Sequence, residues 1–154
     1  MVLENILTAD RIKLGVSDLD KWTLIEDLAD LIAASVPGSD RETLLGDTLE
    51  REEKGSTGIG EGIAIPHART TGVTELVGAL AISGRGIDFD SSDGKPCHLV
   101  FLILAPPEES TRYLKALSAV AFIAKDPEAV TRLKSAASPD EVISVLGEVE
   151  GGNH

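Results

Sequence analysis

Cysteine occurs once in this 154-residue sequence, as Cys97, and one thiol can form neither an internal disulfide nor a multi-cysteine metal site. Aromatic residues make up only 3%, so Leu, Ile, Val and Ala must fill the core. Basic residues are scarce, 14 against 26 acidic ones, for a formal net charge of −12. Nucleic-acid binding calls for a basic face, so this balance argues against it. An acidic surface serves solubility or steers a basic partner. No apolar run approaches the roughly 18 residues of a membrane span. The opening residues, Met1 to Asn5, carry neither the basic region nor the apolar stretch of a signal peptide. A reducing cytoplasm is the expected location. Cys97 heads an apolar run, where a buried, inert thiol is expected.

What is present is enough for one ordinary domain with a real core, 42% of residues being hydrophobic. A helix is expected from about Asp20 to Ser35, with Trp22, Ile25, Leu28, Ala29 and Ile32 at helical spacing, stopped by Pro37-Gly38. Ser39-Asp40-Arg41-Glu42 has the form of a capping box for a second helix through Leu44, Leu45 and Leu49, which puts Arg51 near its end. Leu76 to Ser83 and His98 to Ala105 read as strands. The second, apolar without alternation, suits a strand covered on both faces. Ser91-Ser92-Asp93-Gly94 is a turn. A third helix is expected over Glu108 to Lys125, with Leu114, Leu117, Val120, Ala121 and Ala124 on one side. Asp126-Pro127 and Ser138-Pro139-Asp140-Glu141 then start two more. The expected fold is α/β: a single-domain sandwich of a small mixed β-sheet with helices packed on both faces. It occupies residues 1–150, and 151–154 form a disordered C-terminal tail.

The richest segment runs from Arg51 to Ala68. Four glycines and two hydroxyl residues (Gly55-Ser56-Thr57-Gly58-Ile59-Gly60-Glu61-Gly62) lead into Ile63-Ala64-Ile65, which reads as a short buried strand. Pro66 cannot donate to a ladder, so the strand is expected to end there, with His67 at its exit. Glycines let backbone N–H groups converge on an anion. An imidazole beside them, with an arginine upstream, suits a phosphoryl acceptor. A neutral imidazole is nucleophilic near neutral pH, its reference pKa being about 6.5. One ring nitrogen must then be free and the other tied to an acceptor. The segment lacks the Gly-Lys-Ser/Thr ending of a nucleotide loop and the order of a dinucleotide fingerprint. For Arg51 two readings stand, a planar fork for phosphate oxygens or a helix-end cation favoured by the dipole. Ser56 and Thr57 are either donors to a phosphoryl group or ordinary turn hydroxyls. His98 reads as a structural histidine at a strand start, and no second ligand is spaced to make a zinc site with His67.

Arg51-Glu52…Gly55-Ser56-Thr57-Gly58-Ile59-Gly60…Gly62-Ile63-Ala64-Ile65-Pro66-His67 resembles the signature of the enzyme IIA domains of the phosphoenolpyruvate-dependent phosphotransferase system (PTS), of the fructose/mannitol/nitrogen-regulatory branch. The stretches from Asp93 to Pro106 and from Ala136 to Val142 resemble that family too, so the likeness covers nearly the whole chain. It implies that His67 carries the phosphoryl group as a tele-phosphohistidine and that Arg51 stabilises it. It also implies Ser56, Thr57, Gly58 and Gly60 as the phosphate loop. The donor it implies is an HPr- or NPr-type phosphocarrier protein. No metal or organic cofactor is implied. A free-standing component, without room for an attached IIB or IIC domain, is expected to be of the nitrogen-regulatory type. The alternatives are a fructose- or mannitol-type IIA serving a separate IIB domain, or a binding module that has lost transfer. One departure stands out: the family's second histidine aligns with Tyr113. A phenol with a pKa near 10 cannot share a proton at neutral pH as imidazole does.

Overall fold

The computed structural model describes residues 2–151. Six helices surround one six-stranded mixed sheet: α1 (Val2–Ile6), α2 (Lys21–Ser35), α3 (Arg41–Glu53), α4 (Ser110–Ala124), α5 (Pro127–Lys134) and α6 (Pro139–Gly151). The strands are β1 (Ile12–Lys13), β2 (Gly58–Gly60), β3 (Ile63–Ala64), β4 (His67–Arg69), β5 (Val77–Ile87) and β6 (Cys97–Ala105). Their order is β1-β5-β6-β3-β2, with β4 also pairing β6. The expected mixed-sheet sandwich is what forms, and β6 shows why. Leu99, Phe101, Ile103 and Ala105 enter one core, with Tyr113, Ala116 and Val120 of α4 and Val142 of α6. Cys97, Val100, Leu102 and Leu104 enter the other, with Leu24, Ile25, Leu28 and Ile32 of α2 and Leu44 of α3. From Leu99 on, alternate side chains of one apolar run thus feed two cores, each fully buried side chain contributing about 1.5–3 kcal/mol.

The helix starts follow side-chain chemistry. Asp20, Asp40 and Asp126 accept from the backbone N–H groups of Thr23, Thr43 and Ala129. The cap of α3 is therefore Asp40 rather than Ser39, whose hydroxyl turns back to the Val36 carbonyl at 2.8 Å. At α6, Ser138 accepts from Glu141 N–H, while the Glu141 carboxylate reaches back to Ala137 N–H. Two helical faces differ from expectation. Trp22 is 40% exposed and Leu24 takes its place in the core, because Lys21 turns inward and its Nζ lies 4.9 Å above the Trp22 ring. On α4, Leu114 is 60% exposed, and the buried stripe is Tyr113, Ala116, Val120, Ile123 and Ala124.

Several elements lie outside the expected set or bounds. The helix α1 and the strand β1 are too short to leave a periodic pattern. Strand β5 runs on past Ser83 to Ile87, through a register shift between Ile82 and Ile87. The strand of Ile63 and Ala64 stops before Pro66, as expected, but the chain re-enters the sheet at once as β4. Ile63 and Ala64 pair with Leu99 and Val100, and His67, Ala68 and Arg69 pair with Ile103, Leu104 and Ala105, in one continuous parallel register. Pro66 withholds its donor without derailing the chain, since its carbonyl still accepts from Ile103 N–H at 3.0 Å. Of the expected tail, Gly151 is the last residue of α6 and 152–154 lie outside the described residues. No helix among the described residues is long and apolar enough to cross a membrane.

Candidate functional site

Strand β4 pairs only with β6, so it forms an edge, and α3 and α4 approach that edge from opposite faces. A cleft of about 420 Å³ opens there. Its wall on the α3 side is Asp47, Glu50, Arg51 and Lys54, the spacing of one helical face. His67 and Arg69 come from β4, two residues apart and so on one face of the strand, and Tyr113 comes from α4. Three cations thus border a half-buried histidine in a chain whose overall balance is acidic.

The His67 ring is held by its own backbone. Its Nδ1 lies 2.6 Å from the Ile65 carbonyl oxygen, which can only accept, so Nδ1 carries the proton and Nε2 keeps the lone pair. The break in the ladder at Ile65-Pro66 is what leaves that carbonyl available. Burial is the main influence lowering the His67 pKa below 6.5, and the Arg51 charge pushes the same way. The Ile65 carbonyl and, more weakly, Glu52 oppose them. The net shift is downward, so the ring stays neutral below its ordinary range. Arg51 leaves the last turn of α3 and donates through one guanidinium nitrogen to the Gly55 carbonyl at 2.9 Å. Arg69 donates to Ser110 Oγ at 2.9 Å. Tyr113 packs its ring into the core and faces His67 with centroids 6.1 Å apart and planes tilted by 53°. Burial raises the Tyr113 phenol to about 12, with Arg69 and Arg51 opposing. It is a neutral hydroxyl throughout the physiological range.

The other sequence candidates sit apart from the cleft lining. Ser56 Oγ donates to the Phe89 carbonyl and accepts from Gly58 N–H. Thr57 is buried, and both its N–H and its hydroxyl donate to Glu52, at 3.0 and 2.5 Å. Gly58 lies so close to Ser91 that a Cβ would strike it, and Gly60 opens the β2–β3 turn at φ 89°. The hydroxyls and glycines of this loop thus have partners or steric reasons of their own. His98 lines a different cleft, of about 310 Å³, with Asp93, Lys95 and Lys134 among its walls. Its Nδ1 lies 2.9 Å from the Ser83 carbonyl oxygen. Cys97 is buried and its thiol is pushed up by that burial. No cluster of three or more potential metal ligands occurs among the described residues. Sequence reasoning passed over Arg69, Lys54 and Glu52. Strand alternation from His67 and helical spacing from Arg51 were the signals for the first two.

Comparison with known proteins bears on the family and the fold of the chain. The model of the EIIA 2 family of the phosphoenolpyruvate-dependent sugar phosphotransferase system matches residues 5–149. A nitrogen regulatory protein of Pseudomonas aeruginosa is 33% identical over 150 residues, covering 97% of each chain. A PTS fructose-specific EIIA component of Haloferax volcanii is 37% identical over 147 residues, covering 96% of each. The match to the fructose-specific EIIABC component of Bacillus subtilis, 35% identical over 96% of this chain, spans only 23% of that longer protein. Among solved structures, the nitrogen regulatory protein IIA-Ntr of Neisseria meningitidis superposes with a TM-score of 0.85 at 30% identity, covering 95% of this chain and 99% of its own. The fold alone is shared with IIA mannitol of Escherichia coli in its complex with phosphorylated IIB mannitol, at a TM-score of 0.76, 23% identity and coverage of 91% and 96%. Matched over nearly its whole length, the chain belongs to the EIIA 2 family of the phosphoenolpyruvate-dependent sugar phosphotransferase system.

Proposed function

We propose that the chain is a phosphocarrier in which His67 Nε2 takes a phosphoryl group from the phosphohistidine of an HPr- or NPr-type carrier. The Nε2 lone pair forms the new N–P bond while the donor's N–P bond breaks and returns its pair to the donor ring. The His67 ring becomes more positive as the bond forms, and Nδ1–H leans on the Ile65 carbonyl. Arg51, with Arg69 beside it, balances the negative oxygens of the group in flight. The observation that carries this reading is the 2.6 Å Nδ1 contact, which leaves Nε2 free on a ring bordering a cleft with two arginines. The working place is the cytoplasm, where such carriers meet. Ser56, Thr57, Gly58 and Gly60 support the site from behind instead of touching phosphate.

We assign the role to nitrogen-regulatory signalling, in keeping with the full-length likeness to the Pseudomonas aeruginosa protein. A fructose-type IIA that hands the group to a separate IIB domain is the second reading, favoured by the equally long likeness to the Haloferax volcanii component. A regulatory module that no longer transfers is the third, resting on Tyr113 in the second histidine's place. Incubation with enzyme I, an HPr-type carrier and labelled phosphoenolpyruvate tests them. Acid-labile, alkali-stable label on His67 is expected. Onward passage to a IIB domain selects the fructose reading, and no label at all leaves only the binding module.

A further inference from the structure

Glu52 is the most deeply buried carboxylate at the site's back wall, and nothing in the transfer step uses it. Its side chain is 0% exposed and pairs with Lys21 Nζ at 3.2 Å. Burying that pair is expensive unless the remaining lone pairs are filled. Thr57 fills them, giving its N–H to one carboxylate oxygen at 3.0 Å and its hydroxyl to the other at 2.5 Å. The chain of contacts continues toward the nucleophile. The Thr57 carbonyl accepts from Ile65 N–H at 3.0 Å, and the Ile65 carbonyl accepts from His67 Nδ1 at 2.6 Å. Four consecutive hydrogen-bonded links therefore join Lys21 at the start of α2 to the His67 imidazole. Glu52 is also the neighbour of Arg51 on α3, so one carboxylate anchors the helix end that presents the guanidinium and the loop that orients the ring.

We propose that Glu52 is a positioning residue for His67, acting through Thr57 and Ile65 to hold the ring as its Nδ1–H tautomer with Nε2 free. The proposal rests on His67 being the phosphoryl acceptor. It also gives Thr57 a definite role: its one hydroxyl proton is spent on Glu52, so it supports the ring and does not touch phosphate. A site loosened by a fraction of an ångström loses rate even when every reacting group is still present.

The test combines histidine ¹⁵N NMR of the full chain with its phosphorylation by phosphoramidate, a small donor that needs no protein partner. Glu52→Gln cannot accept both Thr57 donors and leaves Lys21 only its weaker pair with Asp90 at 3.6 Å. Thr57→Val removes only the hydroxyl, and Thr57→Ser restores it. Expected are a His67 ring held as Nδ1–H in the wild type and Thr57→Ser, and mixed tautomers in Glu52→Gln and Thr57→Val. The phosphorylation rate should fall about tenfold in Glu52→Gln and a few-fold in Thr57→Val. Should Glu52→Gln not fold, Thr57→Val, which keeps the Lys21–Glu52 pair, decides alone. Wild-type tautomer in Thr57→Val overturns the proposal, whether its rate is unchanged or lowered, the latter marking Thr57 as a direct phosphate donor. If phosphate lands elsewhere than His67 in the wild type, the acceptor assignment fails, while the tautomer result still decides whether Glu52 orients the ring.

Discussion

The two histidines within the described residues share their local chemistry and differ in everything around it. Both lie in strands paired to the centre of the sheet, and both place Nδ1 against a backbone carbonyl, Ile65 for His67 and Ser83 for His98. Each ring therefore has Nε2 unencumbered. His67, however, opens on a cleft where Arg51, Lys54 and Arg69 outnumber Asp47 and Glu50, and His98 on one where Glu61 and Asp93 offset Lys95 and Lys134. Asp93 is itself committed to the backbone N–H groups of Glu61 and Lys95. Tautomer control alone does not make a phosphoryl acceptor. On the proposed function, the surplus of fixed positive charge beside the free nitrogen of His67 sets the two rings apart.

The sharpest break of that comparison is removal of each ring in turn. His67→Ala should lose all acid-labile phosphate, and His98→Ala should keep wild-type labelling; intact-mass measurement after phosphotransfer reads both. Label surviving in His67→Ala would mean that the wrong cleft was chosen. Next in size is Arg51→Ala, expected to slow transfer by about 10²-fold, the loss typical of one preorganised charged contact. Its fold should persist, because Arg51 bonds within the chain only to an exposed carbonyl. Arg51→Lys should recover part of the rate, since an ammonium lacks the planar fork.

A smaller effect lies in pH. His67 titrates below 6.5 in the fold, so the neutral nucleophile should persist as pH drops past that value, and the acid limb of the rate profile should lie below it. Arg51→Ala should move the limb upward, because its charge helps depress the pKa. For stability the sign is the same: the unfolded ring binds protons first, so the contribution is full above 6.5 and is lost as pH falls through the folded value. Urea melts of wild type and His67→Ala across that range read it. An acid limb at or above 6.5 in the wild type would show that burial does not govern the ring.

The smallest effect concerns Tyr113. With its phenol near 12, the hydroxyl keeps its proton at neutral pH and cannot act as a shuttle, so Tyr113→Phe should change the gain and loss of phosphate by less than about twofold. Tyr113→His should speed both, if the lost shuttle is what sets the pace. Equal rates in all three proteins would reduce position 113 to packing.

Much of the fold was legible because its signals are local. Asp20, Asp40 and Asp126 cap helices, and the unbroken run of β6 announces two covered faces. What was misjudged depends on distant partners. Trp22 looked like a core residue until Lys21 was drawn inward by Glu52, thirty-one positions away. Leu114 completes a plausible apolar stripe on α4, yet it is Tyr113 that the core takes, one position around the helix. At the site, His67 and Arg51 were readable from the motif. For Ser56 and Thr57 the motif left two readings open, phosphate donors or turn hydroxyls, because residue types do not reveal which donors are already engaged. Thr57 is the clearest case, with both donors given to a carboxylate that no spacing rule connects to it.

The constant register of β3 and β4 along β6 has a consequence for timing. His67 is mounted on a short edge strand bonded in register to the almost wholly buried β6, so its backbone shifts only when β4 parts from that ladder. The amide proton of Ile103, given to the Pro66 carbonyl, should exchange at the rate at which β4 and β6 part. On the proposed function, the imidazole stays in place for as long as β4 stays docked on β6. Whatever decides when phosphate arrives must therefore reside in the encounter itself: how often a charged donor reaches the rim, and how long it stays.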